Sequence, residues 1–161
     1  MSSESIAWQI QPFSSLTARQ LHDMLKVRSD VFVVEQNCVY SDIDGLDVLP
    51  GVFHVFGYAG EQLVGTCRIL APGLVYEQCS AIGRVVIDEA FRGQKKAYEM
   101  MKFALQQTND LWPNSICKIS AQEHLQNFYQ SLGFSTCSDM YLEDGIPHVS
   151  MTRPAGLVVQ K

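Results

Sequence analysis

The sequence has no apolar run approaching the roughly 20 residues that a membrane-crossing helix needs. Its first residues, Met1-Ser-Ser-Glu-Ser5, lack the basic stretch and apolar segment of an export signal. Cysteine is sparse and odd in number. Cys38, Cys67, Cys79, Cys117 and Cys137 form no C-x-x-C pair, so zinc spacings are absent and no metal is expected. A disulfide framework is not expected at this length either; buried reduced thiols in a cytoplasmic protein are. Positive charge is scarce as well: 12 Lys and Arg against 17 Asp and Glu leave a net charge of −5. That balance argues against nonspecific nucleic-acid binding, which requires many cations to displace counterions from phosphates. Gly-x-x-x-x-Gly-Lys-Ser/Thr does not occur, which excludes a P-loop. No repeat, linker or low-complexity segment divides the chain, so residues 1–161 are expected to form one domain with a real hydrophobic core.

Within that domain the hydrophobic pattern alternates between the two periodicities. Ile6, Trp8 and Ile10 alternate with polar neighbours and predict a first strand. Thr17-Ala-Arg-Gln20 has the form of a capping box, with Leu21, Leu25, Val31 and Phe32 following at roughly helical spacing. Residues 33–50, rich in turn formers around Asp42-Ile-Asp-Gly-Leu-Asp47, predict an irregular connection. Val52–Ala59 and Leu63–Ala71 predict a hairpin, and Ile82–Ile87 a further strand. A helix is expected from Gln94 to Leu111, stopped by Pro113, then a strand at Ile116–Ala121 and a helix at Gln122–Leu132 ended by Gly133. Phe134–Cys137 and His148–Thr152 predict two late strands around the loop Glu143-Asp-Gly-Ile-Pro147. The resulting order is an α/β layered domain.

The most informative stretch is Ile82–Ala97. A strand here delivers the chain through Arg92-Gly93 to the first turn of a helix, whose N–H groups have no intrahelical partner and so suit an anion. Gly93 permits close backbone approach, and Arg92, Lys95 and Lys96 supply positive charge in an acidic chain. Basic residues favour the other end of a helix dipole, so their placement here points to a phosphate-bearing small molecule.

Arg92-Gly-Gln-Lys-Lys-Ala97 resembles the cofactor motif of the GNAT family of acetyl-CoA-dependent N-acetyltransferases, Gln/Arg-x-x-Gly-x-Gly/Ala. Lys95 stands where that motif usually has glycine. Its residue is expected either in helical geometry with its amide facing the diphosphate, or with its ammonium on a phosphate. Ala121-Gln-x-His-Leu-Gln-Asn-Phe-Tyr129 before Gly133-Phe134, Arg28–Gln36 and Glu143–His148 narrow the likeness to the ElaA-like subgroup, which also lacks glycine at that position. The resemblance implies a mixed, mainly antiparallel central sheet with a splay after the fourth strand, flanked by helices. It implies acetyl-CoA as cosubstrate, with Val85, Val86 and Ile87 on the pantetheine and Arg92, Gly93, Gln94, Lys95, Lys96 and Ala97 on the diphosphate. Tyr129 would bind there too and protonate the departing thiolate; a phenol of pKa about 10 suits a thiol of about 8.5.

The acceptor amine arrives as an ammonium ion and needs a base. Several relatives carry a glutamate where this chain has Cys117, so His124, Glu35 or an ordered water is expected to serve, with His148 and His54 as weaker candidates. Glu35, Asp42, Asp44, Glu143 and Asp144, with Gln36 and His148 beside them, are expected to draw in a cationic small-molecule or peptide amine. Arg28, Val31, Phe32 and Glu35 also resemble acyl-homoserine-lactone synthases, and the residue at Cys117 keeps open a non-catalytic acyl-CoA sensor or interaction module. The apolar tail Leu157-Val-Val159 suits either a partner surface, such as a homodimer, or packing on its own domain.

Overall fold

The computed structural model describes residues 5–159. Residues 1–4, on which the expectation about an export signal falls, and residues 160–161 of the expected single domain lie outside them. The first strand, β1 (Ala7–Pro12), pairs antiparallel with β2 (Val52–Ala59), which forms a hairpin with β3 (Gln62–Leu70). β4 (Cys79–Ile87) continues the antiparallel run beside β3, then pairs in parallel with β5 (Ile116–Gln122). β8 (Ile146–Arg153) runs antiparallel to β5 and carries both β6 (Ser135–Thr136) and β7 (Tyr141–Glu143) as antiparallel partners. Among the described residues, eight strands make one mixed, mainly antiparallel sheet, ordered β1-β2-β3-β4-β5-β8-β6 with β7 also on β8.

Strand periodicity places a helix on each face. Phe56 and Val86 meet Val27 and Val31 on one side, under α1 (Ala18–Arg28). Val55 and Ile87, their chain neighbours, turn the other way into the main core beside Met100, Met101, Ala104 and Leu105 of α2 (Lys96–Leu111). The expected capping box opens α1: Thr17 Oγ1 accepts from the Gln20 amide at 3.1 Å, and Gln20 Oε1 accepts from the Thr17 amide at 2.9 Å. The helical spacing of Val31 and Phe32 continues into a π-helical turn, Ser29–Glu35, in which amides reach back five residues, as Gln36 N to Val31 O at 3.0 Å.

Two predicted helices start later than expected. α2 begins at Lys96, not Gln94, because Lys95 adopts a left-handed conformation (φ 60°) that interrupts the helical run. β5 runs on to Gln122, so α3 is only Gln126–Gln130. The tail Leu157–Val159 packs on its own domain. The Leu157 carbonyl accepts from Asn109 Nδ2 at 2.8 Å and Arg153 Nη1 at 3.0 Å, while Val159 joins the main core.

The feature that positions the site is the parting of β4 from β5. They pair only from Cys79–Ala81 to Ile116–Lys118; beyond that, β4 stays with β3 while β5 follows β8. A register shift opposite Thr66–Arg68 marks the bulge in β4, where Arg84 takes φ 51°.

Candidate active site

Two cavities open into the splay. One, of about 660 Å³, is lined by Val85, Val86 and Ile87 of β4, by Arg92, Gly93, Lys95, Lys96 and Ala97 at the start of α2, and by Leu125, Phe128 and Tyr129. Every residue that the sequence assigns to the cofactor therefore borders one cleft, except Gln94. The left-handed residues Gly93 (φ 78°) and Lys95 (φ 60°) bend the chain sharply before α2. Lys95 is thus not helical, a correction to one of its two expected roles. Its side chain is exposed and makes no ion pair among the described residues. Lys96 is buried and lies 3.5 Å from Glu99.

Arg92 behaves differently from the expected free cation. Its guanidinium grips Glu35 of the π-helical turn with Nη1 at 2.7 Å and Nη2 at 2.9 Å, and its Nε donates to the Ile87 carbonyl at 3.3 Å. The Arg92 hydrogen bond holds the Glu35 carboxyl below its ordinary range. A carboxylate so held is a poor proton acceptor, and Glu35 borders neither cavity.

The second cavity, of about 520 Å³, lies on the other side of Val85, Leu125 and Tyr129, which line both. Gln36, Glu143, Asp144 and His148 line it, joined by Ser120, Ala121 and Gln122 of the parted end of β5. Two contacts link residues of its lining: Gln122 Nε2 donates to Gln36 Oε1 and Cys38 Sγ to the Asp144 carbonyl, each at 3.4 Å. His124 borders neither cavity and is exposed in the short turn after β5. His54 is fully buried, bonded through Nε2 to the Asp47 carbonyl, and desolvation lowers its pKa.

Tyr129 stands where the cavities meet. Its ring packs edge-on to Phe128 and Phe134, with centroids 5.0 and 5.9 Å away. Burial pushes its pKa up, so the phenol keeps its proton. Its hydroxyl makes no hydrogen bond among the described side chains. Cys117 sits elsewhere. It pairs with Ser80 in the closed part of the β4–β5 ladder, lines neither cavity, and burial pushes its thiol to about 12.

The acidic loop residues expected to attract a cation are mostly neutralised. Arg28, only 1% exposed, bonds Asp42 at 3.0 Å and Asp47 through two nitrogens at 3.0 and 3.1 Å. Arg68 bridges Asp44 and Asp47, and Arg84 lies 2.9 Å from Asp42 and 3.3 Å from Asp44. Sequence reading missed this network because its members are 14 to 42 residues apart and carry no local pattern. Among the described residues, no cluster of three or more His, Cys, Asp or Glu side chains is placed to hold a metal, and no helix is long and apolar enough to cross a membrane.

A parted parallel strand pair, a charged turn opening a helix and a tyrosine between two clefts describe an acyl-CoA-dependent transferase fold, and the acetyltransferase (GNAT) domain profile matches residues 26–154. The chain belongs to the GNAT family, in its ElaA-like branch. It is similar to Protein ElaA of Escherichia coli K12, with 44% identity over 92% of this chain and 96% of that protein. The crystal structure of E. coli ElaA superimposes with a TM-score of 0.87 at 42% identity, covering 92% of this chain and 99% of that one. An acyl-CoA N-acyltransferase from Pseudomonas aeruginosa gives 0.88 at 40% identity over the same shares. The likeness to the acyl-homoserine-lactone synthase LasI, with a TM-score of 0.73 at 16% identity over 95% of this chain and 91% of that one, is one of fold alone.

Proposed function

We propose that the protein transfers an acetyl group from acetyl-CoA to a primary amine, directly and within a ternary complex. The observation that carries this reading is the meeting of the two clefts at Val85, Leu125 and Tyr129. The cleft beside the charged turn would take the donor, its pantetheine along Val85–Ile87 and its diphosphate at the turn from Arg92 to Ala97. Backbone amides of the parted strand would polarise the thioester carbonyl, worth most where water is excluded. The polar cleft beside Ser120, Gln122 and His148 would take the amine, with reacting atoms meeting where the clefts join. A phenol kept protonated by burial suits Tyr129 to donating a hydrogen bond, then a proton, to the sulfur as the C–S bond breaks.

Cys117, the residue that keeps the sensor alternative open, does not line the cleft proposed for the amine. Cys67 and Cys117, both pushed to about 12 by burial, are inert thiols compatible with a reducing cytoplasm.

The test is thiol release from acetyl-CoA across polyamines, amino acids, aminoglycosides and peptides. Turnover with at least one amine is expected, falling about 100-fold in Tyr129→Phe with acetyl-CoA affinity retained. Cofactor binding without turnover of any amine would favour the sensor. Unchanged turnover in Tyr129→Phe would remove that residue from the chemistry.

A further inference from the structure

An ammonium ion has no lone pair, so the amine cleft must contain a group that takes its proton. The group must face the cleft with an uncommitted lone pair. Asp44 is committed to Arg68 and Arg84, and Tyr129 keeps its own proton. His148 meets the requirement. It lies on β8, pinned in register against Gln122 of β5 and Tyr141 of β7, and its ring stacks on Tyr141 with centroids 6.2 Å apart at 23°.

The imidazole is held at Nδ1 and free at Nε2. Nδ1 lies 2.7 Å from the Ile146 carbonyl, a contact that only a protonated Nδ1 can make. The lone pair is then on Nε2. Facing Nε2 at 3.4 Å is Oε2 of Glu143, whose Oε1 accepts from Ser120 Oγ at 3.1 Å. The remaining charged groups around the cleft are Asp144 at the hairpin tip and Arg84 and Arg68 on the opposite strands, the two arginines matched by Asp42, Asp44 and Asp47.

We infer that His148 is the general base of the transfer and that Glu143 stabilises the imidazolium it becomes. The inference rests on the acyltransferase reading and adds the group that makes the amine a nucleophile. The ammonium docks beside the His148–Glu143 pair on its cleft side and gives one N–H proton to Nε2. The freed nitrogen pair attacks the thioester carbon, forming the C–N bond. When the C–S bond breaks, the sulfur leaves with the electron pair and takes the Tyr129 proton. The phenolate recovers a proton from the acylated nitrogen, and His148 releases the other to solvent. The products are amide, free coenzyme A thiol and one proton.

The chemical signature of a base separates it from a structural histidine. His148→Asn retains a donor for the Ile146 carbonyl but removes Nε2. Two acceptors are compared at neutral pH: the alkylamine that the wild-type protein acetylates fastest, which arrives protonated, and hydroxylamine, which arrives mostly neutral. Turnover of the alkylamine is expected to fall at least about 100-fold, with hydroxylamine turnover reduced only slightly after subtraction of the uncatalysed rate. Glu143→Gln, a change at a half-exposed side chain, should show the same selectivity with a smaller loss, and it serves if His148→Asn fails to fold. Equal losses with both acceptors, or none with either, would overturn the assignment. A wild-type protein that acetylates neither acceptor refutes the acyltransferase reading, and the inference falls with it.

Discussion

Lys95 holds a backbone conformation that ordinarily belongs to glycine. With φ 60° and ψ 20° it caps α2 in the left-handed region, where an L side chain costs about 1 kcal/mol or more. The strain sits at the cleft that opens beside the start of α2, which the exposed Lys95 lines. Such strain persists where the side chain serves the site. Lys95→Gly should therefore raise stability by about 1 kcal/mol, or about 2–4 °C in Tm for a chain of this size. The same change should weaken acetyl-CoA binding about tenfold, the loss of one charge-assisted contact. A thermal melt and a binding titration read the two effects. Stability and affinity rising together would mean that the ammonium contributes nothing.

The splay is made by two neighbouring elements that β4 cannot follow at once, and its far wall depends on close packing against β3. Gly65 pairs with Ile87, and a Cβ there would meet Ile87 Cδ1 at 2.5 Å and the Val86 carbonyl oxygen at 2.9 Å. The side chain can rotate; the carbonyl cannot yield without moving the strand. Gly65→Ala is expected to destabilise the fold by about 1–3 kcal/mol and to displace Val86–Ile87, weakening acetyl-CoA binding more than an equally destabilising change in β1. Denaturant melts with parallel titrations would check this. Much at this scale was legible: Val52–Ala59 is a mostly apolar run bounded by turn formers, and Thr17-x-x-Gln20 caps as its side chains allow. The splay was not legible from periodicity, because β4 must bury both faces whether or not β5 continues beside it; the family likeness supplied it. β7 was missed since three residues cannot show an alternation. The π-helical turn was missed because its apolar spacing is nearly that of an α-helix.

At the scale of the whole molecule, the Arg28, Arg68 and Arg84 network ties α1, the irregular connection, β3 and β4 into one charge-balanced wall of the second cleft. Charges so buried are costly to leave unpaired, and salt screens them little. Desolvation raises the Asp44 carboxyl, but hydrogen bonds from Arg68 and the Leu46 amide outweigh it and hold the pKa at about 2. Asp47 is likewise raised by desolvation and lowered on balance by Arg28 and Arg68. Carboxylates depressed in the folded state stabilise it above their unfolded value of about 4 and lose that contribution as pH falls towards 2. Arg28→Met leaves Asp42 with only Arg84 and the Tyr40 hydroxyl, and Asp47 with Arg68 alone, at an expected cost of about 3–5 kcal/mol near neutrality. Urea unfolding at pH 7 and again near pH 3 should show that cost shrinking with acid, because the wild-type protein loses its ionic advantage while the variant has little left to lose. A cost independent of pH would mean that Arg28 acts through its packed volume, and that the wall of the second cleft is held by shape more than by charge.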